Sequence, residues 1–172
     1  MTSPSPLIAS PALVSFLQGL HAESLQQETS IDWSSLPGQT TDAFDAVMRD
    51  KFIALDQDKC ELIYHILRSI RATTIVEAGT SFGVSTIYLA LAAAQNAARE
   101  SGRGRVIATE KEPTKADIAR RNWTLAGDEI EGVIDLRIGD LQETLQANLG
   151  VVDFLLLDSM CFFNCLVPLA YE

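Results

Sequence analysis

Glu77, Gly79, Thr80, Ser81, Gly83 and Ser85 fall within nine residues, between the β-branched run Thr73-Thr74-Ile75-Val76 and the alanine- and leucine-rich stretch from Val84 to Arg99. The pattern predicts a buried strand, a glycine-bearing turn and a helix in that order. Such a turn can seat a nucleotide-like ligand. Gly79 and Gly83 remove side chains where a ligand approaches the backbone, and the N–H groups at the helix start favour a polar or anionic ligand group. Thr80 and Ser81 line the turn and offer further N–H groups.

The spacing discriminates between cofactors. A dinucleotide fingerprint has Gly-x-Gly-x-x-Gly, whereas this chain has Glu-x-Gly-x-x-x-Gly, with no Gly at position 81. Glu77 would meet a pyrophosphate with like charge but would favour a ligand carrying an ammonium or sulfonium centre. The stretch Ile75-Val-Glu-Ala-Gly-Thr-Ser-Phe-Gly-Val-Ser-Thr-Ile-Tyr-Leu-Ala90 resembles motif I of the class I S-adenosylmethionine-dependent methyltransferases, in particular the small-molecule O-methyltransferases of the catechol and caffeoyl-CoA type. The resemblance runs from about Asp50 to Asp158 and implies S-adenosylmethionine as cofactor, methyl transfer to an oxygen of a small-molecule acceptor, and a Rossmann-like fold.

Within that resemblance the later strand ends acquire roles. Glu110 closes the run Val106-Ile-Ala-Thr-Glu110, where a carboxylate can accept both hydroxyls of a ribose diol. Asp140 stands where this group places a polar side chain against the adenine amino group, and it is equally a good N-cap for a helix beginning at Leu141. Ser85 matches the hydroxyl that holds the methionine carboxylate in related enzymes, and a Ser at a helix start is also an ordinary cap.

Asp158 matches a magnesium-binding position of the catechol and caffeoyl-CoA enzymes. Those enzymes have a Lys three residues on, where this chain has Cys161, and a later Asp-Asn pair that it lacks. No metal site is predicted. Asp158 is the candidate catalytic residue, steering the methionine amino group or a substrate hydroxyl; no other general base is identifiable.

The elements that must position these residues alternate from Thr73 onward. Strands are expected over 73–78, 104–109, 133–138 and 152–157, and helices over 84–99, 113–126 and 140–148. This is the rhythm of an α/β, doubly wound parallel sheet with its ligand cleft at the carboxyl ends of the strands. Before it, Pro11 to Gln26 predicts a short docking helix, 34–41 a loop, Asp42 to Leu55 a helix, and Asp56 or Asp58 to Arg71 another. In the last of these, Leu62, Ile63, Ile66, Leu67 and Ile70 form one apolar stripe expected in the core. We expect residues 1–41 to be an N-terminal extension, its first ten residues disordered, and 42–172 to be the cofactor-binding domain.

Composition narrows the partners. The 172 residues carry 13 basic and 23 acidic side chains, a net charge of −10, which excludes a general grip on nucleic acid or anionic lipid. Cys60, Cys161 and Cys165 have no zinc spacing and suggest reduced thiols in the cytoplasm. No apolar run reaches membrane-spanning length, and no Lys or Arg precedes Arg49 to make a secretory signal.

After Asp158 the resemblance stops, and Ser159 to Glu172 match no part of the family pattern. The expectation is a methyltransferase domain incomplete at its C-terminus. The run Phe154 to Leu157 would then form an exposed apolar edge open to a second copy or another partner. Two other functions share some of these features: a non-catalytic chain that binds cofactor or a partner, and an NAD-dependent oxidoreductase, for which Glu110 suits a ribose but Glu77 and position 81 do not fit.

Overall fold

A computed structural model describes residues 6–36, 42–100 and 102–158. The expectations for the first five residues, for 37–41 and for the tail with Cys161 and Cys165 lie outside them.

Among the described residues, helix α1 (Pro11–Thr29) is followed by α2 (Asp42–Met48) and α3 (Gln57–Ile70). Then come β1 (Thr74–Ala78), α4 (Val84–Glu100), β2 (Arg105–Glu110), α5 (Pro113–Ala126), α6 (Asp128–Glu131), β3 (Ile134–Ile138), α7 (Leu141–Thr144) and β4 (Phe154–Leu157). The four strands form one parallel sheet in the order β3-β2-β1-β4. The chain winds outward from β1 to β3 and then crosses to the other side of β1, which creates a switch point at the carboxyl ends of β1 and β4.

Register decides which face each strand residue serves. Ile75 is level with Val106 and Phe154, and Glu77 with Ala108 and Leu156. Side chains alternate along a strand, so these residues share one face. Helices cover it: Ile75, Val106 and Ala108 join Leu67 of α3 and Val84, Ile87 and Leu91 of α4 in one hydrophobic core. Alternation therefore carries Glu77 into the helix-covered side, directly beneath the turn that follows β1. Asp153 fixes the other end, accepting the N–H groups of Thr73 (2.8 Å) and Thr74 (2.9 Å).

Several elements differ from the sequence expectation for identifiable reasons. α1 begins as expected, with Ser10 accepting from the Leu13 N–H and Pro11 at the first position, but runs to Thr29, and its Leu17 and Leu20 lie in the common core. α2 ends at Met48 instead of reaching Leu55. Beyond it, side chains of α1 satisfy the backbone: Gln27 accepts from the Phe52 N–H, and the Ser24 hydroxyl accepts from the Ala54 N–H (2.7 Å).

The helix expected over 140–148 is a single turn. The Arg137 guanidinium donates to the carbonyls of Thr144 (2.6 Å), Ala147 (2.8 Å) and Asn148 (3.3 Å), which a longer helix would use internally. In α3 the buried face is Cys60, Tyr64 and Leu67, with Ile63 packed beside it. Leu62, Ile66 and Ile70 of the expected core stripe are 60%, 39% and 53% exposed, so that expectation is corrected. The helix has apolar residues on two faces, and α4 takes the one bearing Tyr64.

Candidate functional site

A cavity of about 440 Å³ opens at the carboxyl ends of the strands, a size suited to a small organic ligand. Gly79, Thr80, Ser81 and Ser85 line it from the first turn, Glu110 from the end of β2, Asp140 from the end of β3, and Asp158 from the end of β4. Seven of the nine expected site residues thus converge on one space. Glu77 and Gly83 do not line it.

The turn from Gly79 to Gly83 is tightly specified. Gly79, Ser81 and Gly83 all have positive φ (94°, 50° and 79°), and the Thr80 N–H donates to the Thr109 carbonyl at 2.9 Å. The glycine at 83 makes room for protein and not for ligand: a Cβ there would lie 2.4 Å from Trp123 Nε1 and 2.9 Å from the Ala119 Cβ. Trp123 Nε1 donates to the Gly83 carbonyl (3.0 Å), and Asn122 donates to the Phe82 carbonyl (2.9 Å). α5 therefore holds the turn from outside.

Glu77 holds it from beneath. Its carboxylate is fully buried and accepts three hydroxyl bonds, from Ser85 on Oε1 (2.6 Å) and from Thr86 (2.6 Å) and Thr80 (2.9 Å) on Oε2. Burial pushes its pKa up to about 7; the hydroxyls oppose that rise, and Asp158 adds to it. The site expected to attract a cationic ligand directly is an internal brace of the turn.

Glu110 faces the cavity with both oxygens already oriented. Oε2 accepts the Ser81 N–H (2.7 Å) and Oε1 the Glu112 N–H (2.9 Å), which leaves further lone pairs on each oxygen for a ligand. Asp140 is the N-cap of α7, accepting from the Gln142 N–H at 2.8 Å, and also lines the cavity. Asp158 is tied to β1 through its own N–H, which donates to the Ala78 carbonyl (3.0 Å). Desolvation raises the Asp158 pKa, with Lys59 opposing.

The opposite wall comes from residues that sequence reasoning did not single out. The segment after α2 brings Arg49, Lys51 and Phe52 to the cavity, and Phe52 stacks on Phe82 of the turn with centroids 4.6 Å apart. Arg49 pairs with Glu112 (3.2 Å), and Lys115 projects from α5 with its pKa lowered chiefly by burial. Phe82 stood inside the motif and was legible as a candidate; the others carried no local signal.

Two observations test the fit of an adenosyl ligand with a sulfonium centre. Ser81 Oγ is buried on the cavity wall without a hydrogen-bond partner, a polar atom awaiting one. The strand-end side chains are acceptors, with Glu110, Asp140 and Asp158 at the ends of β2, β3 and β4, which suits a diol, an exocyclic amine and a cation. The residues fit such a group. Among the described residues no cluster of His, Cys, Asp or Glu could hold a metal ion, and no helix is long and apolar enough to cross a membrane.

Residues 76–161, half of the chain, match the family model described as a methyltransferase domain. The chain belongs to this methyltransferase family.

Solved structures agree on the fold. The chain is similar to an O-methyltransferase from Bacillus cereus in complex with SAH, at 22% identity and a TM-score of 0.58, over 90% of this chain and 57% of that one. It resembles the O-methyltransferase TomG from Streptomyces achromogenes, involved in tomaymycin synthesis and solved in complex with SAM, at 21% identity and 0.57, over 90% and 56%. Cofactor-bound Rv0187 from MTB gives 22%, 0.59, 90% and 56%. This methyltransferase chain thus spans a little over half the length of these structures. Among curated proteins its sequence has no match.

Proposed function

We propose that this chain binds S-adenosylmethionine at the strand ends and that the protein transfers its methyl group to an oxygen of a small molecule. The observation that carries this is the convergence of Glu110, Asp140 and Asp158 with the Gly79–Ser85 turn on one cavity in a methyltransferase-family chain. The similar structures that hold SAM or SAH support it.

When bound, S-adenosylmethionine supplies a methyl group on a sulfonium, open to displacement by an oxygen nucleophile. Glu110 accepts the ribose hydroxyls, preorganised by the Ser81 and Glu112 N–H groups. Asp140 takes the adenine amino group on an oxygen not used by the α7 cap. Phe52 and Phe82 close one side against water, and the fixed turn orients the reacting groups, which is where most of the rate advantage of such a transfer arises. Asp158 is the candidate for steering the methionine ammonium or accepting the acceptor hydroxyl's proton, and its raised pKa suits a base.

The acceptor, a cytoplasmic location and association through the sheet edge belong to the same proposal. Among the described residues β4 is paired on one side only, with Leu155 and Leu157 48% and 41% exposed, which supports a second copy or another chain at that edge. The test of function is incubation with S-adenosylmethionine labelled in its methyl group and a panel of phenols, carboxylic acids and hydroxyheterocycles. Label appearing in an oxygen ester or ether supports the reading; label in none, from a chain that binds the cofactor, favours a binding role.

A further inference from the structure

Helices α3 and α4 both end at the amino ends of the strands, at the opposite end of the sheet from the first cavity, and a second cavity of about 280 Å³ opens there. Arg71, Asn96, Arg99 and Glu100 line it. Arg103 follows in the loop to β2 and is held at the same end, because the Arg105 N–H donates to the Thr73 carbonyl at 2.7 Å.

An arginine at the end of a helix ordinarily serves the last carbonyls, which carry the negative end of the helix dipole. Here other groups already serve them. The Leu67 carbonyl accepts from the Ala72 N–H (3.0 Å) and the Asn96 amide (3.0 Å), the Ala72 carbonyl accepts from the same amide (2.8 Å), and the Ala97 carbonyl accepts from the Gly102 N–H (3.0 Å). Carboxylates pair with Arg49, Arg105, Arg120 and Arg137, each within 3.3 Å, and Arg68 donates to Asn96 Oδ1 at 2.6 Å. Among the described residues, the Arg71 side chain reaches only Glu100, at 3.9 Å, and the Arg99 and Arg103 side chains have no hydrogen bond or ion pair. In a chain with 23 acidic and 13 basic side chains, three guanidiniums thus share one end with a single distant carboxylate.

The backbone of Arg71 points the same way. It has φ 58° and ψ 34°, the left-handed conformation that glycine or asparagine usually fills at a helix end, so an arginine there carries strain. Buried Asn96 fixes this turn by bonding the carbonyls of Leu67 and Ala72 on either side of it. We propose that the paired ends of α3 and α4 form a phosphate-binding site, in which Arg71 and Arg99 grip the phosphate or diphosphate group of a small molecule. Guanidinium forks match phosphate oxygens in pairs, and a group with more than one negative charge outweighs Glu100 on the rim. The net charge of −10 opposes anion binding elsewhere, so affinity for phosphate reports this local cluster.

The experiment is calorimetric titration of the full chain with inorganic pyrophosphate at about 0.15 M ionic strength. Arg71→Asn and Arg99→Gln remove the proposed ligands, and Arg49→Gln is the comparison at the first cavity; circular dichroism verifies folding. We expect saturable binding by the wild type, weakened about tenfold by Arg71→Asn and by Arg99→Gln and within about twofold in Arg49→Gln. Arg71→Asn should also melt no lower than the wild type, because asparagine tolerates the left-handed conformation, which separates lost binding from lost folding. No saturable binding by the folded wild type, unchanged affinity in Arg71→Asn and Arg99→Gln, or a loss confined to Arg49→Gln would each overturn the inference.

Discussion

Trp123 and Gly83 are locked together across the base of the turn between β1 and α4: the indole N–H donates to the Gly83 carbonyl at 3.0 Å, and the same nitrogen occupies the space a Cβ on Gly83 would need. The contact joins the residue just before α4 to the last turn of α5. Gly83→Ala combines a positive φ with a clash against a buried ring, so we expect a loss of about 3 kcal/mol or more. Trp123→Phe keeps most of the ring and deletes the bond, for a loss of about 1 kcal/mol. Urea unfolding of the two variants checks the order; equal losses would mean that the glycine is not there for the indole.

The buried Glu77 carboxyl gives stability a defined pH dependence. Its pKa in the fold is about 7, above the ordinary 4.5, so between these values the folded state holds a proton that the unfolded chain has released. Stability therefore falls as pH rises from about 4.5 to 7 and levels off above that, by about 3 kcal/mol. His21 contributes with the opposite sign, because burial lowers its pKa. The measurement is thus the difference between wild type and Glu77→Gln across pH 5 to 8, which should change by more than about 2 kcal/mol in favour of the variant at the alkaline end. A constant difference would contradict the assignment.

Glu110→Ala should weaken binding of S-adenosylhomocysteine by about 1.5–3 kcal/mol, since it removes a charged acceptor. Glu110 also holds the Ser81 and Glu112 N–H groups, so Glu110→Gln, which retains an acceptor, should lose less. Calorimetry on both variants decides; unchanged affinity in Glu110→Ala would remove the ribose assignment.

Arg137 substitutes for helical bonding after α7, with its guanidinium on three carbonyls and on Asp135. Arg137→Leu should cost about 1–3 kcal/mol and speed amide exchange from Leu141 to Asp153 before other regions. Exchange that is uniformly faster throughout the sheet would place its role elsewhere.

Much of this structure was legible because periodicity and strand-end chemistry act locally. The four strands and helices α4 and α5 follow from β-branched runs and alanine-rich helix formers, and the cavity-lining acids follow from their place at strand ends. What was missed depended on distant partners. The end of α2 is set by Ser24 and Gln27, which bond the backbone around Phe52 from another helix. The inward turn of Glu77 comes from register with Ala108 and Leu156, which put its side chain on the helix-covered face. α3 presented two apolar faces, and only its packing on α4 selects the one with Tyr64 and Leu67.

Whether this cleft takes an adenosyl ligand with an amino-acid end is decided by calorimetric titration of the full chain with S-adenosylhomocysteine, with NAD as the comparison. We expect saturable binding of S-adenosylhomocysteine near one per chain and none of NAD. Binding of NAD instead, or of neither by a folded chain, would contradict it.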